Sequence, residues 1–342
     1  MIRPQHLLIR AARGMPVERP PVWAMRQAGR WDPEFNRLRG KLSFYEFSEN
    51  AELAAQASLL PRRFGVDAII LFYDITTLTV AMGQKYKLMP ERGPVPDRPI
   101  RTMQEVEALD AQPDPDRYGH ILKLLQLVRS ELAGSLPVLV FAGAPFTLAS
   151  YAIGAGKDLA AIRRFADEQS VVWEALLDKL GQATCDFLKT LTRAGADAYQ
   201  LFDSWAGELT EAEYLRWAQP WHRTILQSDI DVPSILFVKE CPYVRHLMAS
   251  GANVVSLGVT HDLAVLRRQY PERIFQGNVD EELLRSGTPE QVAAATLRCL
   301  HEGGGQRHIV NLSHGLDRAT PVANFEAFVQ TVRAWAGPGT AE

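Results

Sequence analysis

Two arginines and a glutamine crowd a single turn of this chain. In the run PVWAMRQAGRWDPEFNRLR, residues 21–39, the apolar stretch 22–25 leads directly into Arg26 and Gln27, and Arg30 follows after only Ala28 and Gly29. A guanidinium offers a rigid fork of donors that pairs bidentately with carboxylates, and two forks four residues apart can clamp a polyacid as two lysines cannot. The chemistry these residues suggest is therefore the capture of carboxylates. A solvated basic turn after an edge strand would use the same residue types, so the reading depends on what else in the chain meets this turn.

Global charge does not supply the anion affinity. The formal net charge of the 342 residues is -3, which argues against a nucleic-acid binder, since affinity for a phosphate backbone needs a net basic face. The three cysteines, Cys185, Cys241 and Cys299, are widely spaced, with no CxxC or HxC pattern, and fit reduced thiols in a cytosolic protein. No segment approaches the roughly twenty apolar residues needed to cross a bilayer. Residues 1–15 lack the continuous apolar stretch of a signal peptide and read as a short amphipathic helix carrying Leu7, Leu8 and Ala11. A cytoplasmic protein with no membrane partner is expected.

Short apolar runs bounded by turn residues mark eight strand candidates: 22–25, 68–72, 138–142, 198–202, 234–238, 254–257, 273–276 and 308–312. Helical spacing fills the segments between and after them, at 51–64, 120–132, 158–194, 211–227, 243–248, 263–270, 289–302 and 321–335. Eight alternations predict a single-domain (β/α)8 TIM barrel over residues 1–342, with a frayed tail from Gly337. A doubly wound open sheet would place a Gly-rich phosphate loop after the first strand, and none stands there. The GAGKD stretch at 154–158 lacks phosphate-loop spacing and reads as a helix-entry turn, and the Pro-rich segment 90–99 as a long loop.

In such barrels the reaction sits at the C-terminal ends of the strands. The residues just after the apolar runs are Arg26, Gln27 and Arg30, then Tyr73 and Asp74, then 143–147 (GAPFT), then Asp203 and Ser204, and finally His314. One rim would carry them all.

The runs PVWAMRQAGR, DAIILFYDI, FAGAPFTLASY, QLFDSWAG, FQGNVD and NLSHG, in that order, resemble the uroporphyrinogen decarboxylase family over roughly residues 1–335. The resemblance implies removal of carbon dioxide from four acetate side chains of uroporphyrinogen III to give coproporphyrinogen III. It also implies a (β/α)8 barrel that needs neither metal nor prosthetic group, and a homodimer whose two clefts face each other. By motif, Arg26, Gln27 and Arg30 would meet substrate carboxylates, and Asp74 would face the pyrrole nitrogens. Tyr151 and Ser204 would hold the departing acetate, His314 would bind a propionate or acetate near the mouth, and Ile70, Phe141 and Phe202 would wall the macrocycle. Catalysis would fall to Asp74, Arg26 and Tyr151.

Several positions depart from the family's pattern. Trp31 and Asp32 stand where Tyr-Leu is usual, and Asp32 is within reach of an ion pair with Arg30. Tyr73 replaces a Ser and adds bulk beside Asp74, Gly258 and Val259 replace Asp-Trp, and Ser313 replaces a Gly. These changes motivate one alternative, a tetrapyrrole-binding paralogue without activity or with another substrate. A zinc-dependent thiol methyltransferase on the same barrel is another, although His246 follows Cys241 by five residues with no second cysteine near.

Overall fold

A computed structural model describes residues 6–89 and 93–337. Seven short strands form one all-parallel sheet: β1 (Ile69–Ile70), β4 (Val138–Gly143), β5 (Ala198–Asp203), β6 (Ser234–Val238), β7 (Val254–Ser256), β8 (Ile274–Gln276) and β9 (His308–Ile309), in that spatial order. Helices connect them, and the sheet curls into an α/β barrel-like fold. Two hydrophobic layers follow from the period-2 alternation of strand residues. Trp23, Ile70, Leu139, Ala198, Ile235, Val254, Ile274 and Ile309 point inward and form one cluster, while the intervening residues pack outward against the helices.

The first expected strand, 22–25, contributes a bridge in place of a ladder. Val22 pairs in parallel with Val310, with Trp23 N–H donating to the Val310 carbonyl and Val310 N–H to that of Pro21. On its other side the Val22 carbonyl accepts from Asp67 N–H at 2.7 Å, and Val22 N–H donates to the Asp67 carboxylate at 2.8 Å. Asp67 is held in turn by a bidentate pair with Arg19, both contacts 2.7 Å. The turn at Arg26 ends this segment before a longer ladder can form.

The helix Leu7–Ala12 lies where the amphipathic reading of the N-terminus places it, and its Leu8, Ala11 and Ala12 join the inward-facing cluster. The stretch 158–194 is not one helix but two, Leu159–Glu168 and Ser170–Arg193, interrupted at Gln169. Asp158 caps the first by accepting from Ala161 N–H, so the GAGKD turn is a helix entry. The stretch 211–227 is broken by a π-helical turn, Tyr214–Ala218, ahead of Pro220, whose missing N–H prevents regular helical bonding there. The expected loop 90–99 is in part a strand: β2 (Tyr86–Met89) pairs antiparallel with β3 (Gly93–Pro96), while residues 90–92 lie outside the described residues. Of the expected frayed tail, residues 338–342 also lie outside them. Among the described residues no helix is long and apolar enough to cross a membrane.

Candidate active site

Arg26 occupies the left-handed region, with φ 59°, a conformation few non-glycine residues adopt unless their surroundings enforce it. The enforcement is visible. The Arg26 carbonyl accepts from the Trp31 indole at 3.3 Å, Gln27 N–H closes the turn onto the Ala24 carbonyl, and Leu316 N–H bonds to the Met25 carbonyl at 3.0 Å. Met25 N–H also donates to Asn311 Oδ1, 3.1 Å away. The Arg26 side chain then runs across Gly315 so closely that a Cβ there would sit 2.4 Å from its Cδ. Arg26 retains open surface, but protein atoms crowd its guanidinium enough that desolvation pulls its pKa below the usual value, while Tyr151, Asp317 and Glu281 pull it back up.

Gln27 does not share this exposure. Its side chain is fully buried, donating to the Ala68 carbonyl at 2.9 Å and accepting from Ala24 N–H at 3.1 Å. Its side chain, expected to meet a substrate carboxylate, instead bonds to the backbone and ties the arginine turn to the segment that leads into β1. Arg30 is exposed, and its charge reaches Arg26. Asp32 does not quench it. That carboxylate, 1 % exposed, pairs instead with Arg63 at 2.6 Å and caps the helix Pro33–Arg39 through Glu34 N–H.

Asp74 follows β1 at the same end of the sheet. Burial pushes its pKa up, and the Thr76 hydroxyl, the backbone N–H groups of Ile75 and Thr76 and the Tyr45 hydroxyl pull it the other way, in that order. Thr76 Oγ1 donates directly to Asp74 Oδ2. The Tyr45 hydroxyl, buried without a well-aligned partner, feels the Asp74 charge. Tyr151, on the helix Pro145–Ala152 after β4, lies within electrostatic reach of both Asp74, which raises its pKa, and Arg26, which lowers it. Burial is the larger cause of its upward shift. Arginine, tyrosine and carboxylate therefore lie within one another's electrostatic reach.

An aromatic wall runs beside them. The Tyr73 ring stacks on Phe141 at 4.1 Å, Phe141 meets Phe202 edge-on at 5.5 Å, and Phe202 meets Phe237 at 5.6 Å. Tyr73 adds no bulk over Asp74. Its ring is buried, and its hydroxyl exchanges hydrogen bonds with the Phe141 backbone, occupying a ladder position that the short strand β1 leaves open. Ile70 is buried in the inward cluster below the wall. Ser204 is half-buried just past β5. Behind it, Asp203 is fully buried, accepting from Thr147 at 2.7 Å and meeting His222 Nε2 at 2.8 Å, while His222 Nδ1 lies 3.2 Å from the Tyr214 hydroxyl. Asp203 is thus committed to holding the loop that carries Ser204.

His314 lies at the end of this wall, its ring centroid 6.1 Å from that of Phe237. Burial, then the nearby Arg26 and Lys239, hold its pKa down to about 3, so the imidazole is neutral at pH 7. Lys239, Glu281, Gly315, Thr76 and Tyr45 belong to this surface and do not stand out in the sequence. Gly315 directly follows His314, and Lys239 directly follows an apolar run, the position where barrel chemistry is expected. Of the departures from the family pattern, Gly258 lies where a Cβ would strike the Glu240 carboxylate, which accepts from Val259 and Thr260 N–H groups. Among the described residues no group of three His, Cys, Asp or Glu side chains is placed to hold a metal ion.

The fold and this surface define a class: an α/β barrel-like protein whose strand ends carry an arginine-rich, aromatic-walled surface with the half-buried carboxylate of Asp74 on it. Comparison with known proteins narrows it. The family model for uroporphyrinogen decarboxylase (URO-D) matches residues 3–335. A uroporphyrinogen decarboxylase from Gloeobacter violaceus is 40% identical over 341 residues, covering 97% of this chain and 98% of that protein. One from Chloroflexus aurantiacus is 38% identical, with 97% of each chain covered. Among solved structures, a methyltransferase from Methanosarcina mazei superposes with a TM-score of 0.81 at 20% identity, over 95% of this chain and 97% of that one, a likeness of fold alone. The chain belongs to the uroporphyrinogen decarboxylase family.

Proposed function

We propose that this protein removes carbon dioxide from the four acetate arms of uroporphyrinogen III, giving coproporphyrinogen III. Family membership along nearly the whole chain supports the activity. The observation that carries the assignment of roles is the position of Tyr151, within the fields of both the Asp74 carboxylate and the Arg26 guanidinium.

An acetate on an electron-rich pyrrole loses carbon dioxide only when the electrons left behind have a sink. Protonation of a pyrrole carbon supplies one. The C–C bond then breaks into the ring cation, and a second proton converts the resulting methylene to a methyl group. A fixed carboxylate beside the pyrrole N–H groups stabilises the cation more than the neutral ground state, and so raises kcat. At an effective dielectric of about 20, a unit charge some 4 Å away is worth roughly 4 kcal/mol, on the order of a thousandfold in rate. In our reading Asp74 is that carboxylate, and its hydroxyl and N–H partners oppose the upward push of burial on its pKa. Arg26 and Arg30 grip the acid arms, Tyr151 orients the arm that reacts and Ser204 borders it. Phe141, Phe202 and Ile70 support the macrocycle, and His314 meets a peripheral carboxylate. These steps call on side chains alone.

We also read the fold as a single-domain (β/α)8 barrel closed by the 21–23 segment, and the protein as a cytoplasmic homodimer. Anaerobic incubation with reduced uroporphyrinogen III, followed by counting carboxyl groups in the oxidised products, tests the activity. Loss of four carboxylates is expected, and an unchanged eight-carboxylate product refutes it.

A further inference from the structure

A surface that captures anions would be expected to exclude acids, yet Glu281 sits on it. At the start of the helix Glu281–Ser286, this half-buried residue turns its carboxylate to Ser313 and His314. The Ser313 hydroxyl donates to its Oε2, and His314 Nδ1 lies 3.9 Å from its Oε1. Its charge also reaches Arg26. Nothing in the decarboxylation chemistry uses it, and an idle carboxylate here would repel the substrate's own.

We infer that Glu281, anchored by Ser313, is a positioning residue that makes His314 a proton-accepting carboxylate site: Nδ1–H points to Glu281, and Nε2 takes up a proton from solvent when a substrate carboxylate arrives. This rests on the reading of the cleft as a polycarboxylate site. The groups facing His314 are Arg26 from the first turn, Lys239 from the end of β6 and Glu281 from its helix, with the Phe237 ring alongside; Asp317, further along the loop of His314, acts on Arg26. In the free protein burial, reinforced by the two cations, keeps the imidazole neutral. A neutral ring with its proton on Nδ1 shows a lone pair to the cleft and repels an anion. An incoming carboxylate offsets the cations, and the imidazolium then lies between two anions, Glu281 behind and the substrate in front. One solvent proton is gained, one N–H···O bond forms, and no bond breaks. Ser313 Oγ, also 3.3 Å from the Val279 carbonyl, keeps Glu281 on the imidazole and away from the guanidinium of Arg26.

The test uses coproporphyrin III as a stable probe with the full chain. Calorimetry in buffers of different ionisation enthalpy counts protons taken up on binding, and Kd is followed from pH 7 to 8.5. In the wild type about one proton is gained and Kd rises with pH by up to about tenfold per unit. Glu281→Gln and His314→Asn lose the uptake and flatten the profile, Ser313→Gly weakens the uptake, and Glu281→Asp restores part of it. Thermal melts verify that each variant is folded. Wild-type uptake that persists in Glu281→Gln or His314→Asn, or a wild type that binds without uptake, overturns the inference even where uroporphyrinogen is decarboxylated normally. A wild type that neither decarboxylates uroporphyrinogen nor binds the probe overturns the functional reading together with it.

Discussion

Replacing Gly315 with alanine adds one methyl group beneath Arg26 and tests whether the geometry of that guanidinium matters. The new Cβ would lie 2.4 Å from Arg26 Cδ, 2.6 Å from Cγ and 2.8 Å from Nε. Carbon atoms rest at about 3.5–4.0 Å from one another, so the side chain must withdraw by about 1 Å. The backbone cannot absorb the shift, because the left-handed Arg26 is pinned by the Trp31 indole and by the Leu316–Met25 hydrogen bond. Gly315 itself lies outside the left-handed region, so alanine brings no backbone strain of its own. The displacement falls on the guanidinium. A misplacement of about 1 Å in a positioning group costs about a hundredfold, or roughly 2.7 kcal/mol, in kcat/KM. Anaerobic initial rates, read by separating the fluorescent oxidised products, should show that loss with Tm nearly unchanged. In the double variant with Arg26→Ala, Gly315→Ala should add nothing further. A kcat/KM within twofold of wild type, or losses that simply add, would refute the reasoning.

Asp74→Asn should lower kcat by about a thousandfold with KM little changed, and a fully active variant would remove Asp74 from the chemistry. Thr76→Val deletes the side-chain donor that opposes burial at Asp74, so the acid limb of kcat should move to higher pH, with Thr76→Ser restoring it; an unmoved limb would show that Asp74 does not govern that limb. Asp32→Asn weakens the pair that this buried carboxylate makes with the exposed Arg63 while leaving Arg30 untouched, so Tm should fall by several degrees at constant KM, and a changed KM would place Asp32 in the clamp after all. His308 is fully buried and its pKa is held down to about 4, whereas the unfolded chain protonates it near 6.5. The unfolded state therefore binds the extra proton in that window, and stability falls as pH drops from 6.5 toward 4, by about 2 kcal/mol at pH 5 from this group. Denaturant titrations at pH 7 and 5 would expose it, and a slope as steep in His308→Gln would assign the loss elsewhere.

Local pattern is enough to find most of the barrel, because strands buried on both faces read as short apolar runs bounded by turns. The run 234–238 matches β6 residue for residue. The same pattern overextends 22–25, since periodicity carries no information about a left-handed residue at Arg26 that ends the strand. It also joins helices across Gln169, where composition barely changes but the chain bends. At the cleft, residues directly after strands are legible by position. At Gln27 an amide beside two arginines looks like a ligand, and only the fold brings the Ala68 carbonyl to its side chain. Glu281, Lys239 and Gly315 escape notice for a related reason. Each matters through a partner distant in sequence or through space that is left empty, and neither can be read along a chain.

The segment that bears Arg26 is stitched to its neighbours by a few scattered backbone bonds, to Val310, Asp67 and Leu316, and by side chains: Asp67 to Val22, Gln27 to Ala68, and Asn311 to Met25. Seam and working arm are the same stretch of polypeptide. Amide exchange at residues 22–27 should consequently outpace that of the central strands, and gentle warming should disarm the enzyme while most of its sheet remains intact. Inactivation would then precede unfolding, and activity would report the health of the closure more sensitively than any spectroscopic signal from the whole barrel.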